Sequence, residues 1–78
     1  MNKEDIALAA DRILNEPVLI DVIADLRVDA LEGLARVDPE NAGEIRKFQA
    51  QIIALDGLVG SLRNAILAGK ASKRLAVA

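Results

Sequence analysis

The sequence predicts an all-α protein: an antiparallel helical hairpin with a short helix ahead of it. Three observations carry that reading. Apolar residues recur at helical spacing through most of the chain, whereas period-2 alternation never lasts. Both prolines, Pro17 and Pro39, fall where a helix is about to start. Gly69 closes the longest periodic run and has cations behind it. These marks predict helices at about 3–14, 17–36 and 39–68, a single helical domain over 1–69, and a short basic C-terminal tail over 70–78.

In the first helix, Ile6, Ala9, Ala10, Ile13 and Leu14 share one side. The second opens at Asn15-Glu16-Pro17, with Asn15 as the capping side chain and Pro17 in the first turn, where its missing N–H costs nothing. Its main stripe is Leu19, Ile23, Leu26, Ala30, Leu34 and Val37. Val22 and Gly33 stand on one shoulder, Ile20 and Leu31 on the other. That stripe is wider than one partner helix needs, which predicts two neighbours. The third helix starts at Asp38-Pro39-Glu40, with Asp38 as cap. Its residues Ile45, Phe48, Ile52, Leu55, Val59, Leu62 and Ile66 are spaced alternately by three and four, a strict heptad seam that calls for packing against another helix.

The link Arg36-Val37-Asp38 is short enough to impose a tight antiparallel return. At 1.5 Å per residue the third helix would run roughly 45 Å, the second roughly 30 Å and the first roughly 18 Å. The second therefore cannot cover the third, and the first is the right length to cover the remainder or to fold across the open end. Ile20, Leu31, Ile53, Leu58 and Leu67 are left on flanks that one hairpin cannot bury. This surplus predicts a homo-oligomer, most simply a dimer assembling into a helical bundle.

Composition narrows the chemistry. The chain has no His, Cys, Trp or Tyr, and Phe48 is its single aromatic residue. No imidazole base, thiol nucleophile, thiolate metal site or aromatic platform for stacking bases can be built from it. Ser61 and Ser72 have no base to activate them, and the glycines Gly57, Gly60 and Gly69 are not followed by the Lys-Ser/Thr pair of a phosphate loop. Gly57 and Gly60, inside the heptad helix, are expected to permit close helix approach. An enzyme, a cofactor and a bound metal are accordingly not expected. A net charge of −2 argues against a dedicated nucleic-acid binder. Charges interrupt the apolar stretches often enough that no membrane-crossing segment is expected, and the first 14 residues do not read as a signal peptide.

Two charged features invite partners. Asp21, Asp25, Asp29 and Glu32 form an acidic row along the second helix, either a solvated face eased by Glu32–Arg36 and Asp25–Arg27 or a docking ridge for a basic surface. Lys70, Lys73 and Arg74 form the basic tail, which complements a helix dipole or touches an acidic partner or phosphate.

Four stretches carry a family resemblance. They are Ile13-Leu14-Asn15-Glu16-Pro17-Val18-Leu19, Asp38-Pro39-Glu40-Asn41, Ile53-Ala54-Leu55-Asp56-Gly57-Leu58, and Leu62-Arg63-Asn64-Ala65-Ile66-Leu67-Ala68-Gly69-Lys70. Through them the chain resembles a group of short helical proteins encoded by tailed bacteriophages and prophages. The resemblance implies a small virion-assembly or virion-associated protein, with a head, portal or packaging protein as partner, located in the cytoplasm of the bacterial host or on the virion. It implies no activity that transfers residue by residue. Two other readings remain open at this point: a small inhibitor or antitoxin-like protein using the acidic face, and a DNA-associated accessory protein using the tail.

Overall fold

The computed structural model describes residues 1–77, with side chains through Leu75. It contains three helices, α1 (Lys3–Leu14), α2 (Pro17–Arg36) and α3 (Ala42–Val77), and no strand among the described residues. The protein is all-α.

The helix ends follow from local hydrogen bonding. Asn2 caps α1, its side-chain oxygen accepting from the Asp5 N–H at 2.8 Å, and Glu4 and Asp5 favour the positive end of the helix dipole. Asn15 does not cap α2 as expected. Its side-chain amide donates to the Asp11 carbonyl at 2.8 Å and its backbone N–H to the same oxygen at 3.0 Å, so it closes α1. Glu16 stands at the N-cap of α2 without a side-chain cap, and Pro17 fills the first helical position.

The start of α3 also differs from expectation. Asp38 accepts from the Glu40 N–H at 2.9 Å, and the Asn41 N–H donates to the Asp38 carbonyl at 2.8 Å. Asp and Pro in the first two places of a β-turn use the same side chains that a cap would use, and here the turn wins. Asn41 is the cap instead, accepting from the Glu44 N–H at 3.1 Å, so α3 begins at Ala42. At its far end α3 runs through Gly69 to Val77. No glycine has a positive φ among the described residues, so Gly69 is not a left-handed stop. Residues 70–77 are a continuation of α3, not a tail.

Both shorter helices lie antiparallel to α3, end to end along it. On α2, Gly33 meets Phe48, and Ile20 and Ile23 line a groove with Val59 and Gly60. On α1, Ala7 packs against Gly69, and the Ser72 hydroxyl donates to Glu4 Oε1 at 3.3 Å. Helix α1 therefore covers the part of α3 that α2 leaves open. The result is a rod of 57 × 24 × 17 Å whose length is that of α3.

A rod this thin has little interior. The only buried apolar residues are Ala10, Ile23 and Ala30 among those described. The radius of gyration is 16.9 Å, against about 11.5 Å for a compact chain of this length. The accessible surface is 5837 Å², whereas a compact monomer of this mass exposes about 4,600 Å².

Candidate interaction surface

All seven seam residues, Ile45, Phe48, Ile52, Leu55, Val59, Leu62 and Ile66, are half-buried, and none is fully enclosed. The same spacing continues into buried Gly69, where α1 passes at close range. A Cβ built there would lie 2.9 Å from the Lys3 carbonyl oxygen and against the Ala7 methyl. Gly33 plays the matching part on α2, since a Cβ on it would sit 2.6 Å from Phe48 Cζ. Gly57 and Gly60 do not act as expected: a Cβ at either meets nothing within 4 Å in the chain.

The face that α2 turns to α3 is rotated from the expected stripe. The inward residues are Ile20, Ile23, Arg27, Ala30, Leu34 and Val37, again spaced alternately by three and four. Ile20 and Arg27 take the places expected of Leu19 and Leu26, which are 38% and 50% exposed. Arg27 holds its seam position through Asp56 on α3, donating from Nε to Oδ1 at 2.8 Å and from Nη2 to Oδ2 at 3.2 Å. Apolar periodicity could not reveal this, because an arginine in the stripe reads as a gap.

The pair is half-exposed. Its two hydrogen bonds and the Arg27 charge hold the Asp56 carboxyl below the ordinary carboxylate range, against a smaller opposing effect of desolvation, and raise Arg27 in turn. A carboxyl depressed by folding contributes stability that is fully present above its unfolded pKa and lost as pH falls through the folded value. Parent and Asp56→Asn should therefore differ in thermal midpoint at neutral pH and converge in strong acid. A difference that persists unchanged in strong acid would show that the ion pair is not its source.

The two long sides of the rod differ in charge. Asp56, Arg63 and Lys70 recur every seven residues on one side of α3. There Asp56 and Arg63 line a groove with Ile20, Ile23 and Arg27, and further along Lys70 and Lys73 face Glu4 and Asp11. On the other side Leu26, Ala30, Phe48, Ala54 and Leu55 line a groove with Asp29 and Gln51 at its edge.

Both predicted charged features lie on the exposed surface. Asp21, Asp25, Asp29 and Glu32 are all exposed and make no ion pair among the described residues, Arg27 having turned to Asp56 and not to Asp25. Lys70, Lys73 and Arg74 are exposed on the last turns of α3, with the first two against α1. Among the described residues no three carboxylates converge where a metal ion could bind. One expectation needs correction: Ala42–Leu75 contains an 18-residue window of mean hydropathy 1.4 and is, by length and composition alone, apolar enough to cross a membrane. Only Asp56 and Arg63 carry charge between Phe48 and Gly69.

Compared with known proteins, the chain matches no family model, no curated protein and no solved structure.

Proposed function

We propose that this protein is a small structural or interaction protein of phage type, a helical rod that self-associates and docks on a head, portal or packaging component of a virion. The observation that carries the reading is the mismatch between surface and core. Among the described residues three apolar ones are buried, none larger than isoleucine, against an accessible surface of 5837 Å². A chain that exposes so much aliphatic surface is suited to a helical assembly. The resemblance to short phage proteins supplies the class of partner, and the inventory of side chains supports a binding role over catalysis.

Aliphatic surface of this kind also suits a bilayer, but Asp56 and Arg63 would have to enter it, at a cost of several kcal/mol even on the lenient scale. Sedimentation of the protein alone is expected to give a multiple of the 8.3 kDa chain mass, with no flotation on lipid vesicles. Binding is then measured with isolated head, portal and packaging proteins in low and high salt. The Asp21→Asn/Asp25→Asn/Asp29→Asn variant tests whether the acidic row takes part. It should keep the fold, because removing like charges at helical spacing relieves about 0.2–0.5 kcal/mol per pair, and it should bind the partner more weakly and with less salt dependence. Unchanged affinity would return the row to a solvated role. A strictly monomeric, lipid-bound protein would overturn the proposal as a whole.

A further inference from the structure

The geometry points to one long side of the rod, the less charged one, as the surface on which a second copy of this chain sits. This rests on the self-association proposed above and assigns the face.

The side is fixed by helix register. On α3, Leu58 and Ala65 follow Gln51 at seven-residue spacing, on the flank opposite Asp56, Arg63 and Lys70. On α2, Leu19 and Leu26 precede the inward residues Ile20 and Arg27 and so stand on the same side as Leu58, which the groove shared by Leu26 and Leu55 confirms. On α1, Ile6 and Ile13 flank buried Ala10, on the side away from Glu4, Leu8 and Asp11, whose groove belongs to the charged side. Ile6, Ile13, Leu19, Leu26 and Leu58 are 38–50% exposed, and they come from three different helices.

No charged residue interrupts this strip between Leu26 and Ile6 or, on the same flank of α3, between Ala54 and Ser72. Covering it brings one carboxylate, Asp29, to the rim of the contact, whereas covering the opposite side would desolvate Arg27, Asp56, Arg63 and Lys70. The size also fits. The chain exposes about 1,200 Å² more than a compact monomer of its mass, and a standard interface removes about 800 Å² from each partner. A second copy meets the strip with the same aliphatic groups, as a twofold contact requires. It would enclose Leu55 and Phe48, which line the groove and are only half-buried in one chain, and so complete the core that the single rod lacks.

The absence of cysteine makes the face directly readable. Single-cysteine variants Leu58→Cys, on the strip, and Leu31→Cys, on the opposite flank of α2, are labelled with a bulky maleimide while the parent assembly is followed by sedimentation. In the dimer the thiol of Leu58→Cys should react about tenfold or more slowly than that of Leu31→Cys, and dilution into monomer should abolish the difference. A charge in the strip, Leu26→Glu, should weaken the dimer by about a hundredfold or more, whereas Leu31→Glu should leave it unchanged. Equal labelling of the two thiols in a dimeric protein would overturn this face while leaving self-association standing. A parent that sediments as a single chain would overturn both.

Discussion

Replacing Gly69 with leucine is expected to detach α1 from α3 and to remove about one helix from the folded content. A side chain at position 69 would have to occupy the space of the Ala7 methyl and the Lys3 carbonyl, and both belong to the backbone level of α1. Neither can move aside as the end of a flexible side chain could. Overpacking of a tight contact costs about 1–3 kcal/mol. Helix α1 lies close along α3, with Ala10 as its one buried residue, so a bulky side chain at 69 disturbs the packing of the whole helix. Circular dichroism should show a loss of helix and a lower midpoint, and hydrogen exchange should show α1 open while α2 and the middle of α3 stay protected. Gly57→Ala and Gly60→Ala are the counterpart. Nothing stands within 4 Å of a Cβ at either position, so in the isolated chain each should gain about 0.8–1 kcal/mol of helix propensity. If Gly69→Leu melts with the parent, the close crossing of α1 over α3 is wrong.

Removing the side chain of Ile23 should have an effect of similar size. It is the largest buried apolar residue among those described, 9% exposed, and it lies in the inward face of α2 beside Val59 and Asp56. Truncating a buried isoleucine to alanine costs about 2–5 kcal/mol, out of a total that for small domains lies near the low end of about 5–15 kcal/mol. With roughly 4–8 °C lost per kcal/mol in a chain of this size, the Ile23→Ala midpoint should fall by about 10 °C or more. Val28→Ala, at a position 50% exposed on the same helix, should stay within about 0.5 kcal/mol of the parent. Both are compared at several protein concentrations, because association makes the midpoint concentration-dependent. Equal shifts for the two variants would mean that α2 is rotated from the register described here.

The seam of α3 was readable from spacing because seven apolar residues follow one period without interruption. The face of α2 was only partly readable. Leu19 and Leu26 are better apolar candidates than Ile20 and Arg27 on hydropathy, yet Arg27 is turned inward by a carboxylate 29 residues away in sequence. A pairing that distant leaves no trace in local periodicity. The same limit applied at the helix ends. Asn15, Asp38 and Gly69 each have two satisfactory uses, as cap or turn, start or turn, stop or close contact, and a single local sequence is compatible with both.

What the sequence determined by itself is the helical class, the return between α2 and α3, the heptad seam and a surplus of aliphatic side chains. These follow from hydrophobic period, proline position and composition, all of which act within a few turns of chain. Only the tertiary structure decided that α3 continues past Gly69, that α1 lies along it and not across its end, and that Arg27 is paired with Asp56 on one side of the rod. Those outcomes depend on contacts between residues far apart in sequence: Ala7 with Gly69, Glu4 with Ser72, Arg27 with Asp56. Their energies are set by how closely two backbones can approach and by which charge finds its partner, and neither quantity is written in the pattern of any one helix.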